Sequence, residues 1–291
     1  MLDWNDLHTF LAIQRAGTLA GAGSRLQLNP TTVGRRLSAL EDEVGVRLFD
    51  RTSDGYLLTQ AGRDLVPHAE RMEAAVFAVE REIAGADQRV AGTVRLSTTE
   101  VLGTRFVAPH LPALRARHPE ILLDLSCTTR SVSLARREAD IVMRLSPPRE
   151  DDAVARQVAS IRLGLYATPA YLDARGRPPR GDALVGHDVV MFASWPAFSL
   201  ENDWMDARIE GATVVMRCDS VSTTYAAAVA GLGIALLPCI VADSDPQLEA
   251  IPCDSQPSPR HIWLGVHRDL ARTPRVQAVL AFLAEIVAGD W

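Results

Sequence analysis

Hydroxyl and guanidinium side chains are concentrated at the start of one amphipathic segment near the amino terminus. Val33, Leu37 and Leu40 recur at helical spacing, which predicts that they form the buried stripe of a helix. The polar side chains that this stripe leaves on other faces belong to Thr31, Thr32, Arg35 and Arg36. Hydroxyl groups can hydrogen-bond phosphates or base edges, and an arginine can make two hydrogen bonds to O6 and N7 of guanine. The segment is therefore a candidate for contacts to double-stranded DNA.

A helix-turn-helix followed by a β-hairpin would position these side chains. Asn29 and Pro30 suit the N-cap and the first turn of a helix, and a short helix of small residues is predicted before them. In a helix-turn-helix, the start of the second helix enters the major groove. Short apolar stretches on either side of an Asp-Gly pair then predict a hairpin, or wing. Arg51 and Thr52 near its tip could reach the phosphate backbone.

The charge balance of the chain does not by itself indicate a nucleic-acid partner. The formal net charge is −6, and residues 1–60 carry six arginines against seven acidic side chains. Binding to DNA therefore requires that positive charge be gathered on one surface. The alternative use of such a three-helix domain is contact with another protein.

Several classes of function are excluded by residues that the sequence lacks. It contains no lysine, which excludes Schiff-base lysine chemistry and the usual P-loop nucleotide hydrolases. The scattered cysteines and histidines lack the spacing of a metal site, and no Gly-x-Ser-x-Gly motif is present. We therefore predict no enzymatic activity, no metal and no cofactor. A cytoplasmic protein without a membrane partner is expected, because no apolar run is long enough to cross a bilayer and no secretory signal is recognisable.

A single helix is predicted from Gln60 to about Ala84. Its apolar residues are separated alternately by four and three positions, and this 3.5-residue repeat is typical of a coiled-coil seam. A helix packed on its own domain would give a similar pattern over so few heptads. Pro67 predicts a kink or a local break. The seam positions are Leu65, Ala69, Met72, Val76, Val79 and Ile83.

Alternating strand and helix patterns in the last two hundred residues predict parallel α/β sheets. A first unit is expected to contain strands at 92–98, 121–126 and 140–144 and a short helix at 132–137. A second unit is expected to contain strands at 189–192, 213–216, 231–238 and 261–267, with a final helix at 275–287.

Several motifs along the whole chain resemble, in order and in spacing, those of transcriptional regulators of the LysR type. The amino-terminal motifs are residues 7–10 (LHTF), 29–37 (NPTTVGRRL), 45–52 (GVRLFDRT) and 58–62 (LTQAG). The carboxy-terminal motifs are residues 139–144 (ADIVMR), 166–172 (YATPAYL) and 230–238 (AGLGIALLP). Pro30 and Gly34 depart from the pattern, because many family members have Gln and Ser there. Both replacements remove a polar side chain that could contact DNA.

The resemblance implies an α+β multidomain protein that regulates transcription under the control of a small-molecule effector. It implies an N-terminal winged helix-turn-helix at 1–59, a linker helix and hinge at 60–90, and a C-terminal two-lobed α/β effector domain like a periplasmic binding protein at 91–291. Lobe one would comprise 91–165 and 268–291, and lobe two 166–267. The implied partners are operator DNA, a second copy bound through the helical seam as a dimer or tetramer, and RNA polymerase. A solute-binding protein is the alternative, and the helix-turn-helix argues against it.

An effector would lie between the lobes, outside the carboxyl ends of the strands. Helix N-termini and Arg144 favour an anionic effector, whereas Glu100 favours an amine or a hydroxyl group. The local alternative is that the Ser and Thr side chains cap helices and the arginines pair with nearby acids. The candidate effector-binding residues are Thr98, Thr99, Glu100, Arg130, Arg144, Phe192, Ser220, Val221 and Ser222.

Overall fold

A computed structural model describes residues 2–53, 55–86, 89–148, 150, 152–178 and 183–288, with the side chains of 81–86 and 196 outside that description. The chain divides into two compact units, Met1–Ala84 and Gly85–Trp291. Within the described ranges, no helix combines the length and the apolar character needed to span a membrane.

The first unit begins with three helices, α1 (Trp4–Ala16), α2 (Leu19–Leu26) and α3 (Pro30–Val44). The side chain of Thr18 accepts a hydrogen bond from the backbone N–H of Gly21 and so caps α2. The side chain of Asn29 caps α3 in the same way, and Pro30 occupies the first turn. These caps confirm the predicted helix-turn-helix and fix where its second helix begins.

A two-stranded antiparallel hairpin, β1 (Phe49–Thr52) and β2 (Gly55–Leu58), forms the predicted wing. The backbone N–H of Tyr56 donates to the carbonyl oxygen of Gly17 at 2.8 Å. Gly55 has φ +130°, and a Cβ there would lie 2.3 Å from the same carbonyl oxygen. The wing therefore packs directly on the end of α1, and Gly55 leaves room for the two backbones to meet.

Helix α4 (Gln60–Ala86) continues without interruption through Pro67, so the predicted break is absent. Leu65 and Ala69 pack against the core of the helix-turn-helix, and Ala69 is fully buried. These two residues therefore serve the domain's own core, and their assignment to an intermolecular seam is corrected.

The later seam residues lie farther along the same stripe of α4, beyond the core of the helix-turn-helix. Met72 and Val79 are 42% and 56% exposed, and Val76 is half-buried. The side chain of Ile83, also predicted for the seam, lies outside the described residues. The first turns of α4 thus belong to the DNA-binding domain. A domain boundary at residue 59, as predicted, would divide the core that these turns share with the helix-turn-helix.

The second unit contains two sheets of five strands each. Its strands are β3 Gly92–Thr98, β4 Ile121–Cys127, β5 Ile141–Arg144, β6 Ala153–Ile161, β7 Leu163–Ala167, β8 Asp188–Phe192, β9 Thr213–Cys218, β10 Ile234–Pro238, β11 Glu249–Ile251 and β12 Arg260–His267. Its α-helices are α5 Glu100–Leu102, α6 Leu111–Arg117, α7 Pro169–Arg175, α8 Ser199–Asp206, α9 Val221–Val229, α10 Cys239–Ala242 and α11 Pro274–Ile286. A π turn (Gly103–Val107) and a 3-10 turn (Ala108–His110) connect α5 to α6.

The first sheet has the order β4-β3-β5-β12-β6, and the second has the order β11-β7-β10-β8-β9. We call the first sheet and its helices lobe one, and the second sheet and its helices lobe two. Strands β3, β4 and β5 are parallel, as are β8, β9 and β10. Strands β12, β7 and β11 are antiparallel to their neighbours. Each lobe is therefore a mixed sheet rather than the predicted parallel one.

The chain crosses between the lobes twice. It leaves lobe one after Ile161 and returns at Arg260, which pairs with Ile161 at the edge of the first sheet. This corrects the predicted lobe boundaries, because β7 begins lobe two at Leu163 and β12 belongs to lobe one. Residues 134–137 form turns rather than the predicted helix.

Candidate functional site

The start of α3 presents the predicted DNA-contacting residues to different degrees. Thr31 and Arg35 are exposed, whereas Thr32 and Arg36 are half-buried. Arg36 lies near Asp6 of α1, where burial raises the pKa of the carboxyl and the Arg36 charge partly offsets that rise. A Cβ on Gly34 would lie 3.2 Å from the side chain of Leu19, so the missing polar side chain there allows α2 and α3 to pack closely. Among these residues, Arg35 is the cation best placed to reach a groove.

Positive charge is gathered locally, as DNA binding requires. Residues 7–40 contain no aspartate or glutamate, and they include Arg25 and Arg35, which are exposed. Glu41, just after this stretch, is buried and accepts hydrogen bonds from Arg47 and from the backbone N–H of Leu48, each at 2.8 Å. The acidic residues of this domain therefore lie outside residues 7–40 and do not cancel the positive charge of the arginines at the start of α3.

Both predicted wing residues are exposed on β1. The Arg51 guanidinium lies 5.6 Å from the centre of the Tyr56 ring, a cation–π contact that holds it on the wing. The Thr52 hydroxyl donates to the carbonyl oxygen of Gly55 at 3.1 Å and so stabilises the turn. Of the two, Arg51 is the better candidate for a phosphate contact.

A cleft of about 410 Å³ lies between the two lobes of the second unit. The predicted residues that line it are Thr99, Glu100, Phe192, Ser220 and Val221. The predicted residues that lie outside its lining are Thr98, Arg130, Arg144 and Ser222. Thr99 and Ser220 also accept hydrogen bonds from the first turns of α5 and α9, so the expected capping role holds for both.

Sequence reasoning missed much of the lining, which also includes Val101, Leu102, Cys127, Thr128, Thr129, Leu145, Ile161, Leu163, Phe198, Glu201, Asp219, Pro238 and Arg260. Thr128 and Leu145 directly follow β4 and β5, so the rule used for the other strand ends would have found them. Ile161, Leu163 and Arg260 line the cleft because the chain crosses between lobes there, and only the topology shows this. Phe198 stacks on Phe192 with ring centres 4.5 Å apart and extends an apolar wall.

The charged groups of the cleft are mostly acidic. Its lining contains the carboxylates of Glu100, Glu201 and Asp219 and one guanidinium, that of Arg260. Oε1 of Glu201 lies 3.3 Å from Nε of Arg260, and burial raises the pKa of Glu201. Arg260 also donates from Nη2 to the carbonyl oxygen of Ala197 at 2.8 Å. Oε2 of Glu201 is buried and has no hydrogen-bond partner among the described residues.

The arginines predicted to hold an anionic effector are engaged elsewhere. Nη2 of Arg144 donates to the hydroxyl of Ser97 at 2.8 Å and to the carbonyl oxygen of Arg130 at 3.4 Å. Arg130 itself lies 3.8 Å from Glu138. Local acceptors hold both side chains outside the lining of the cleft, so the grip of Arg144 on a carboxylate and the candidate role of Arg130 stay predictions.

Comparison with known proteins agrees with this architecture. The chain is 28% identical over 296 residues to the Mau operon transcriptional activator of Paracoccus denitrificans, an alignment that covers 99% of each chain. It is 31% identical over 185 residues to an HTH-type transcriptional regulator of Xanthomonas campestris pv. campestris, covering 64% of this chain and 54% of that protein. The full-length structure of the Vibrio cholerae virulence activator AphB shares the fold, with a TM-score of 0.67 and 20% identity over 98% of this chain and 99% of that one.

Family models account for nearly all of the sequence. The model of the "Bacterial regulatory helix-turn-helix protein, lysR family" matches residues 4–63, which cover the winged helix-turn-helix and the start of α4. The model of the "LysR substrate binding domain" matches residues 87–288, which cover both lobes and the cleft. The chain therefore belongs to the LysR family of bacterial helix-turn-helix transcriptional regulators.

Proposed function

We propose that this protein is a transcriptional regulator, not an enzyme, that binds operator DNA in the cytoplasm and responds to a small molecule with an apolar body and a positively charged or hydrogen-bond-donating group. The observation that carries the ligand class is the lining of the cleft. Three carboxylates and one already paired guanidinium face a largely apolar wall. A carboxylate ligand would be repelled there, whereas an amine would gain charge-assisted hydrogen bonds.

Glu201 is the polar group that most constrains the ligand. Its Oε2 is buried without a partner among the described residues, and leaving such an atom unsatisfied costs about 1–3 kcal/mol. A ligand N–H or O–H that reached this oxygen would remove that cost. The exposed carboxylates of Glu100 and Asp219 would then hold a positive charge at the mouth of the cleft.

Binding at this position would act on the contact between the lobes. Arg260 belongs to β12 of lobe one, and Glu201 belongs to α8 of lobe two. The pair therefore connects the two lobes across the cleft wall. A ligand that hydrogen-bonds to Glu201 either weakens the ion pair with Arg260, by competing for the carboxylate, or strengthens that pair. Either effect changes how tightly the lobes close.

DNA binding is assigned to Arg35 and the Thr31 hydroxyl on α3, with Arg51 of the wing on the phosphate backbone. Their exposure and the absence of acidic residues from 7–40 support this assignment. A second copy of the chain is proposed to cover Met72, Val76 and Val79 of α4, since the described part of the chain leaves the first and last of these largely exposed.

A thermal-shift screen of the full chain tests the ligand class. Amines with apolar bodies should raise the melting temperature with increasing concentration, and small carboxylates should not. Glu100→Gln and Asp219→Asn should weaken the response to an amine that binds. Asp124→Asn, an exposed acid on β4 outside the cleft, is the matched control and should leave the response unchanged. A wild-type response to carboxylates alone would contradict the assignment.

A gel-shift assay with the DNA upstream of the protein's own gene tests the regulatory role separately. The wild type should bind this DNA more tightly than random DNA, and the amine from the screen should change that affinity. Equal affinity for the two DNAs would refute operator binding without affecting the conclusion on ligand class.

A further inference from the structure

A second contact between the lobes involves the π turn that follows α5. Nη2 of Arg105 in this turn donates to the carbonyl oxygen of Val241 at 3.4 Å. Arg105 belongs to lobe one, whereas Val241 lies on α10 of lobe two. Single π turns are rare in proteins and are frequent at functional sites. The turn therefore directs a cation of lobe one at the backbone of lobe two.

Arg105 also faces a hydrogen-bonded pair of lobe two, in which the Tyr225 hydroxyl donates to Oδ2 of Asp245. This bond and burial raise the pKa of Tyr225, and the charge and hydrogen bond of Arg105 partly offset the rise. The same Tyr225 bond lowers the pKa of Asp245, and the charge of Arg105 adds to that effect. A half-buried guanidinium thus faces a hydroxyl and a carboxylate as well as a carbonyl oxygen. We call Arg105, Tyr225, Val241 and Asp245 the Arg105 contact.

The segment that carries the acceptors of Arg105 is fixed to the sheet of lobe two. Tyr166 of β7 is 2% exposed, and its hydroxyl donates to Oδ1 of Asp243. Oδ1 of Asp245 accepts a hydrogen bond from the backbone N–H of Gln247 at 2.9 Å. Residues 241–245 are therefore held at both ends of their turn, and they move with lobe two as a body.

The Arg105 contact lies about one helical turn from the cleft on both of its partner elements. Val101 and Val221 line the cleft, and Arg105 and Tyr225 follow them by four residues. Helices α5 and α9, which carry the two valines, are themselves in contact. Arg105 therefore holds the start of α5 against the start of α9, where the two lobes meet.

The two contacts between the lobes differ in what a ligand can reach. Glu201 and Arg260 both line the cleft, so a bound molecule can alter their ion pair directly. None of the four residues of the Arg105 contact is among the described residues that line the cleft. A ligand in the cleft therefore leaves the Arg105 contact in place.

We propose that Arg105 is a positioning residue, which joins α5 to lobe two and serves as the fixed point about which the lobes turn when the cleft opens or closes. Closure of two rigid bodies around a ligand takes place about a few residues that keep their contacts. The role as a fixed point rests on the proposed function, in which a ligand alters the pair of Glu201 with Arg260. The joining of the lobes by Arg105 depends on no ligand.

Hydrogen exchange of the full chain, measured by mass spectrometry without ligand or DNA, tests the proposal. Arg105→Met in lobe one should speed exchange in residues 219–229 and 239–245 of lobe two. The expected rise is about two- to tenfold, which is the change that loss of one hydrogen-bonded contact produces. Exchange in β3 and β10 should stay unchanged, since these strands belong to the core of each lobe. Wild-type exchange in the two lobe-two segments, or an equal rise in the core strands, would overturn the proposal.

The reciprocal change and two matched arginine variants separate the contact from a local effect. Tyr225→Phe removes only a hydroxyl from lobe two, and it should speed exchange in residues 100–107 of lobe one. Arg105→Lys retains the charge and should exchange at rates between those of the wild type and Arg105→Met. Arg156→Met removes an exposed arginine from β6 of lobe one and should leave lobe two as in the wild type. An effect of Arg156→Met on lobe two equal to that of Arg105→Met would overturn the proposal.

Glu201→Gln tests whether Arg105 is the fixed point. This variant weakens the other contact, and it should leave exchange at the Arg105 contact within about twofold of the wild type, because sites without shared partners act independently. An equal rise at both contacts would overturn the fixed point. A thermal-shift screen without an amine response would refute the ligand class of the cleft and would leave these exchange measurements as they stand.

Discussion

The ion pair between Arg260 and Glu201 offers a direct test of how the two lobes are held together. Arg260→Met removes the charge and retains most of the apolar stem, and Glu201→Gln removes the charge and retains the shape. The double variant closes a mutant cycle, which isolates the coupling between the two side chains. We expect Arg260→Met to be the more damaging single change, because it leaves a buried carboxylate without its counter-charge.

The size of the effect follows from the geometry. The two charged groups approach to 3.3 Å, with side-chain exposures of 15% and 6%. At this distance the attraction is on the order of 5 kcal/mol for an effective dielectric constant near 20, and desolvation opposes much of it. Removing one partner of a buried pair costs about 3–5 kcal/mol. Glu201→Gln should cost about 1–3 kcal/mol, because Arg260 keeps its hydrogen bond to the Ala197 carbonyl oxygen.

The pH dependence of the variants has a definite sign. Burial raises the pKa of Glu201 and the charge of Arg260 partly lowers it, so removal of Arg260 raises that pKa further. A carboxyl whose folded pKa exceeds its unfolded value binds its proton more tightly in the folded state, and stability falls as pH rises through that window. The deficit of Arg260→Met should therefore be larger at about pH 8 than at about pH 5.

Urea denaturation followed by tryptophan fluorescence measures these free energies. Trp204 lies on α8 beside Glu201, and Trp263 lies on β12 with Arg260, so both report on the second unit. The double variant should be less destabilised than the sum of the single variants. Additive losses, or a deficit of Arg260→Met that does not change with pH, would refute the conclusion that this pair joins the lobes.

Three further predictions concern the first unit. Arg35→Ala should reduce discrimination between operator and random DNA by about 1–3 kcal/mol in a binding titration, while the far-ultraviolet circular dichroism stays unchanged; equal discrimination would remove its assigned role. Val76→Asp should shift the wild-type dimer toward monomer in analytical ultracentrifugation, since a charge would be buried at the interface; a monomeric wild type at micromolar concentration would contradict the interface. Arg15→Met should destabilise the first unit by about 3–5 kcal/mol, because Glu73 is only 2% exposed and would lose its partner; Trp4 fluorescence measures this, and an unchanged transition would show that the pair contributes little.

Local chemistry made the first unit predictable from the sequence. Asn29 and Pro30 fix the start of α3, and Val33, Leu37 and Leu40 are all buried as the helical spacing requires. The same pattern misled for α4. Leu65 and Ala69 share a heptad stripe with Met72, but the nearby helix-turn-helix buries only the first two, and periodicity does not identify the surface that covers a residue.

The second unit was predictable only in part, because its geometry depends on contacts distant in sequence. Most residues of strand β6 are exposed or half-buried, so its sequence shows no apolar pattern from which a strand could be predicted. Strand β12 follows lobe two along the chain but pairs in lobe one, which no local signal indicates. Because β12 returns to lobe one, Arg260 lies next to Glu201 of lobe two, and this ion pair of the cleft could not be predicted from the sequence. Thr99 and Ser220 were found because strand ends and helix caps are local features.

The contact between α1 and α4 determines where the DNA-binding domain ends. Nη1 and Nη2 of Arg15 donate to Oε1 and Oε2 of Glu73 at 2.8 and 2.7 Å, and Ala69 is buried one turn earlier. The DNA-binding domain is thus packed firmly on the first four turns of α4. Because these turns and α3 belong to one packed domain, a rotation of α4 rotates α3 by the same angle. In chimaeric proteins that exchange DNA-binding domains between family members, the junction should therefore be placed after Glu73. A junction at residue 60 would take the two sides of the α1–α4 contact from two different parent proteins.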